Sequence, residues 1–276
     1  MRKICALLLA ACLLSPPLLA EERKINHSIS LQEPAKPAHI EASLMNGSIL
    51  VEGYDGKNVE ISAVVKPLKL ITAENTKAES STTRPSKGLK KIANTAMYLE
   101  VEKDGNQISI DSMNKNQNIA LKIRVPFNSN LDLALHRGDA IEINNVHGSI
   151  EVGNHDGPIT AKGIRGPIVA ECLRHDLVVI FDQYDTSKPS SLNAHRGNID
   201  VTLPKKSDVN IEIKTYQGEI YSGLDAEFKA VDTVDKDASE HEQRISFGGA
   251  MAAKLNKGTQ QLLINTYRGD IFLRNK

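Results

Sequence analysis

The chain is 276 residues long, with 34 basic and 34 acidic side chains, 40% hydrophobic and 4% aromatic residues, and no tryptophan. This balance supplies no overall field for gripping nucleic acid or an anionic membrane. Three cysteines, two of them within the first twelve residues, exclude a disulfide-stapled scaffold and a zinc cluster.

Residues 1–20 read as a secretory signal peptide. Arg2 and Lys3 give the positive start, residues 4–14 the apolar run, and Pro16-Pro17 a break before Ala20, where cleavage is expected. The run "LAAC" offers an alternative, a lipoprotein with Cys12 as its lipidated N-terminus, although Leu13 and Leu14 continue the apolar stretch where polar residues are usual. Either way the chain is expected to be exported, to the periplasm or the cell surface. Removing Arg2 and Lys3 leaves 32 basic against 34 acidic groups. No later run reaches the ~18 apolar residues of a membrane span. The soluble form keeps one cysteine, Cys172, whose place in "ECL" inside an apolar alternation predicts a small buried side chain.

Residues 21–66 read as N-terminal cap strands. Residues 67–95 are a basic insertion with six basic and two acidic side chains. Residues 96–276 carry a repeat, interrupted by an acidic insertion at 225–244 with three basic and seven acidic groups. Solvated loops are expected for both insertions, with docking through their opposite charges as the alternative.

The repeat is Gly, a short polar residue or Pro, Ile, and then alternation. It runs "RGDAIEIN" at 137, "HGSIEVGN" at 147, "DGPITAKG" at 156, "RGPIVAEC" at 165, "RGNIDVTL" at 196 and "RGDIFLRN" at 268. Nine or ten residues fit one strand plus one turn, and twice that fits a rung of two strands. Glycine and its polar follower suit the turn. The alternation predicts Ile150, Ile159, Ile168, Leu177 and Ile199 inside, with Glu151, Thr160, Val169, Val178 and Asp200 outside. The expected fold is all-β, a single-domain β-solenoid of two-strand rungs with an N-terminal β cap, its last rung near 258–276 closing the stack. An antiparallel sandwich is the alternative.

The runs "LNAHRGNIDVTLPKKSDVNIEIKTYQGEI" and "KLNKGTQQLLINTYRGDIFLRNK" resemble the exported bacterial putative-adhesin family, a β-solenoid domain of unknown function. The resemblance covers roughly residues 40–273 apart from the two insertions. It implies a non-catalytic cell-envelope protein that binds or scaffolds, and it brings no site residues with it.

Candidate chemistry is sparse. A polysaccharide lyase or hydrolase on a parallel β-helix is the alternative function, but the outward acids Glu142, Glu151 and Asp200 are spread along the chain. No H-E-x-x-H or G-x-S-x-G motif is present. Neither enzymatic activity nor a cofactor or metal is expected. His136, His155 and His195 recur near the glycine, with Tyr216 and Tyr267 replacing them later; Ile164 and Leu173 interrupt any metal ladder there. The residue before the glycine is Arg137, Arg165, Arg174, Arg196 and Arg268, a candidate basic edge for an acidic glycan or another envelope protein. A solvated, charge-blunted turn is the alternative. Two copies spell Arg-Gly-Asp, at 137–139 and 268–270, and both read as spellings of the repeat rather than as mobile adhesive loops.

Overall fold

The computed structural model describes residues 22–68, 98–184, 188–234 and 245–276. The signal peptide, Cys12, nearly all of the basic insertion and the second half of the acidic one lie outside the described residues. Those described form nineteen strands and no helix, joined in one large mixed sheet that does not close on itself.

Most of the sheet consists of two parallel ladders. The chain crosses from the first ladder to the second within each rung, then returns for the next. Strand β2 (His39–Tyr54) and strand β7 (Asn130–Asn144) each run through both ladders without a break. The following rungs pair one strand from each ladder. These are β8 (Ile150–Asn154) with β9 (Ile159–Ile164), and β10 (Ile168–Cys172) with β11 (Leu177–Phe181). Next comes β12 (Ser190–Arg196) with β13 (Ile199–Leu203). Register holds across each step: Leu133 faces Val152, Val152 faces Ala170, and Ala170 faces Leu192. In the second ladder Ile141, Ile159, Leu177 and Ile199 form the matching column.

The five side chains expected inside, Ile150, Ile159, Ile168, Leu177 and Ile199, are buried, as are Val152, Ala161, Ala170, Val179 and Val201, two residues later on the same face. They belong to one apolar cluster fed by both ladders. The outward positions are exposed or half-buried. In-register stacking of branched residues at ~4.8 Å makes this core close-packed without long side chains.

Rung order in space departs from rung order in sequence at both ends. At one end β5 (Gln107–Ser112) and β6 (Gln117–Pro126) form the outermost rung, and β2 inserts between it and β7. Residues 39–54 are therefore part of the stack rather than a cap. The antiparallel strands β3 (Asn58–Pro67) on β6, β1 (Arg23–Ser30) on β3 and β4 (Glu100–Asp104) on β5 cover this end. At the other end β14 (Val209–Gln217) and β15 (Ile220–Ser222) are outermost. Strands β18 (Gln260–Arg268) and β19 (Ile271–Asn275) slip between them and β12–β13. The hairpin expected to close the stack thus lies one rung inside it. Strand β17 (Ile245–Leu255) covers β14 antiparallel, and β16 (Lys229–Val234) pairs with it. Residues 229–234, part of the acidic insertion, are strand and cover the outer edge of β17 antiparallel.

Glycine marks where rungs come closest. A Cβ on Gly138 would stand 2.1 Å from the carbonyl oxygen of Gly47, and one on Gly269 would stand 2.0 Å from that of Gly197. Only some corner glycines have positive φ, so close backbone approach, more than turn geometry, excludes other residues. Gly153 lies mid-strand with nothing within 4 Å of its Cβ position. We therefore expect Gly138→Ala to destabilise the protein by about 1–3 kcal/mol through forced separation of rungs. Gly153→Ala should stabilise it by about 0.5 kcal/mol, because glycine is a poor strand residue; urea unfolding of the two variants reads both signs.

Candidate functional site

The corner between the two ladders is built the same way in each rung. A strand of the first ladder ends on an outward ring or apolar residue, then a polar residue, then a residue packed tightly on the rung before it. An Asp or Asn often follows. In spatial order the polar column reads Asn46, Arg137, Asp156, Arg174, Arg196, Arg268 and Gln217.

Four of the five arginines expected at a basic edge share this corner; Arg165 does not. The glycine units alternate corners, so Gly138 and Gly157 belong to one and Gly148 and Gly166 to the other. Arg165 stands at the second corner, 4.0 Å from the Asp182 carboxylate. That carboxyl is held below the usual Asp range by its hydrogen bond from Lys276, despite partial burial. Beside it His147 stacks on Phe127 at 4.9 Å, and burial with the Arg165 charge lowers its pKa.

At the first corner the arginines differ in occupation. Arg174 is paired with Asp156 at 3.0 Å, and His155 also contacts that carboxylate at 3.0 Å. Arg268 donates to Gln217 Oε1 at 2.9 Å. Arg137 and Arg196 are exposed and make no side-chain hydrogen bond or ion pair among the described residues. Arg196 and Arg268 are direct ladder neighbours, and among the described residues neither is bound to a carboxylate. Like charges in that register repel unless an anion lies between them.

Outside the arginines runs a second column: His136, His155, Leu173, His195, Tyr267 and Tyr216. Leu173 interrupts the histidines as expected, whereas Ile164 lies buried at the end of β9, away from them. Among the described residues no three His, Cys, Asp or Glu side chains are placed to hold a metal ion. The last three members stack instead. His195 lies on Tyr267 at 5.1 Å and 8° between planes, and Tyr216 follows at 5.6 Å and 43°. Tyr216 is 64% and Tyr267 41% exposed. Around His136 and His155 the absent side chain of Gly153 leaves a hollow of about 260 Å³, walled also by Glu171 and Leu173. Composition concealed this surface: six tyrosines in the whole chain look negligible, yet two fall on neighbouring rungs of one corner.

Inside the corner, polar groups secure the turns. Asp176, Asn198 and Asp270 each accept, through Oδ1, the backbone N–H of the next rung's residue: Asn198, Asp270 and Glu219, at 2.8–2.9 Å. Thr215 and Thr266 donate to the carbonyls of Gly269 and Gly197. The Cys172 thiol is buried, donates to the His175 carbonyl at 2.9 Å, and has its pKa raised chiefly by that burial. Asp270 of the second Arg-Gly-Asp is thus part of the turn scaffold, while Asp139 of the first makes no side-chain bond among the described residues.

The outward acids weighed as catalytic do not converge. Arg274 Nε donates a bifurcated hydrogen bond to both carboxylate oxygens of Asp200, and Glu142 lies on the second ladder. Glu151 lies in register with Asp132, and that with Glu41, in a row on the outer face of the first ladder.

No family model matches the chain, and no curated protein sequence does. Two solved structures are similar in shape. The putative cell adhesion protein of Clostridium sporogenes ATCC 15579 is 11% identical with a TM-score of 0.43, over 93% of this chain and 100% of the other. A putative adhesin of Bacteroides fragilis NCTC 9343 is 10% identical with a TM-score of 0.32, over 91% and 97%.

Two outcomes follow from the corner chemistry. Asp270→Ala should cost about 1 kcal/mol of stability while Asp139→Ala costs almost nothing, as judged by chemical unfolding. Cys172 should resist alkylation by iodoacetamide in the folded protein and react fully in urea, with mass spectrometry counting the adducts.

Proposed function

We propose that this chain is an exported, non-catalytic β-solenoid of the bacterial cell envelope that binds or scaffolds, in the manner of an adhesin. The two parallel ladders are its faces, and the basic corner formed by Arg137, Arg174, Arg196 and Arg268 is its binding edge. The secretory pattern of residues 1–20 supports export. The observation that carries the binding reading is the pair Arg196 and Arg268, adjacent in register and without a carboxylate partner among the described residues.

Guanidinium groups recognise carboxylate and sulfate through paired N–H donors, so an acidic glycan is the fitting ligand. Arg165 is left out of this edge because it faces the other corner and Asp182. The competing reading, a polysaccharide-cleaving enzyme, needs an acid and a base flanking one bond. The tight carboxylate–cation pairs here are structural ties, such as Asp200 with Arg274 and Glu60 with Arg124.

Charge reversal tests the edge. The triple variant Arg137→Glu, Arg196→Glu, Arg268→Glu should elute from an immobilised acidic polysaccharide at markedly lower salt than the parent. Unchanged retention would remove the basic corner as a binding edge. Retention of the parent should itself fall with ionic strength, since exposed charges are screened over about 8–10 Å.

A further inference from the structure

We propose that the ring column beside the basic corner is a track for an extended acidic polysaccharide, lying along the stack with about one sugar per rung. The inference rests on the binding reading above and adds what the ligand touches and how it is oriented.

Three observations converge. First, the column is continuous over six rungs, from His136 through Leu173 to Tyr216, and its members project outward at the spacing of the ladder. Six rungs at ~4.8 Å make a strip of roughly 24 Å from first to last. The step along the strip is of the same order as one sugar in an extended chain. Second, the strip has the composition that sugars require. Aromatic edges and faces meet the apolar C–H side of a pyranose, and exposed tyrosine combines an apolar body with a hydroxyl. Large exposed aromatics cost solvation free energy and collect where something is to be bound.

Third, the strip is bordered on both sides by suitable polar groups. On one side runs the polar column of the corner: Arg137, Asp156 tied to Arg174, then Arg196, Arg268 and Gln217. On the other, one residue pair inward along the strands, Asn265 donates to Asn193 Oδ1 at 3.0 Å, forming an exposed amide ladder. Its outermost continuation is Lys214, with its ammonium 5.0 Å from the Tyr216 ring centre. Arg268 likewise lies 5.8 Å from the Tyr267 ring centre, so cations and rings are already arranged as one surface. The hollow over Gly153 gives the strip a recess at its other end, rimmed by His136 and His155. Amides address hydroxyls, rings address the sugar faces, and guanidinium groups address the carboxylates of successive uronic acids.

The experiment uses the full-length protein and oligogalacturonates of two to ten sugars, followed by tyrosine emission, which no tryptophan obscures. Affinity should rise with length and level off near six sugars, and neutral dextran of equal length should bind at least tenfold more weakly. Tyr216→Ala with Tyr267→Ala should lower affinity for the six-sugar ligand about tenfold. Tyr267→Phe, which keeps the ring, should bind nearly as the parent does. Because both rings are exposed, the melting temperature should not move, which separates lost contact from lost fold. If the tyrosine variants bind as tightly as the parent while the arginine variant does not, the basic edge stands and the ring track is overturned. Length-independent affinity beyond two sugars, or capture of a protein but no glycan, overturns it as well. Failure of the parent to bind any acidic oligosaccharide overturns both readings together.

Discussion

Everything in this molecule depends on how closely successive rungs approach at their corners. At Gly47, Gly138, Gly197 and Gly269 the next carbonyl oxygen occupies the space a Cβ would need. Once the backbones are that close, parallel register is fixed on both sides of the corner. Ile faces Ile or Leu through the second ladder, and the residue before the glycine faces its counterpart in the next rung. The same closeness creates buried carbonyls and amides that need partners. Asp, Asn, Thr and Cys at the turns supply them. A fold signature and a hydrogen-bond requirement are one feature seen twice, and the Arg-Gly-Asp spelling at 268–270 belongs to it.

The nine-residue repeat made much of this legible. Strand positions, inner and outer faces and the all-β class follow from alternation and turn residues, and the inner ten positions are buried as alternation requires. The division of arginines between corners was latent in the same count: if a rung holds two units, consecutive glycines must lie on opposite corners. Arg165 and Arg174, which belong to consecutive units, therefore fall on opposite corners. The ring column was half visible, since His136, His155 and His195 shared a slot with Tyr216 and Tyr267. Average composition hid its concentration, because a percentage carries no spatial information.

The order of rungs was not legible, for a physical reason. Each rung presents nearly the same edge to its neighbours: branched residues inward, backbone donors and acceptors along the strand, and glycine at the corner. Local pattern therefore specifies that rungs stack and leaves open which one lies beside which. Nothing in "RGDIFLRN" distinguishes a terminal place from an inner one. The antiparallel strands β1, β3, β4, β16 and β17 decide where the stack stops, and their sequences carry no corner glycine unit.

The insertion of β18 and β19 between other rungs bears on how the fold would resist pulling. A terminal rung at the end of a stack would have one neighbour, and tension could peel it away one hydrogen bond at a time. Strands β18 and β19 instead have parallel neighbours on both sides, β12 and β14 for one, β13 and β15 for the other. Force entering through residue 275 along the strand direction must shear several ladder bonds together on two fronts. Such a geometry anchors β18 and β19 far more firmly than their place in the sequence suggests.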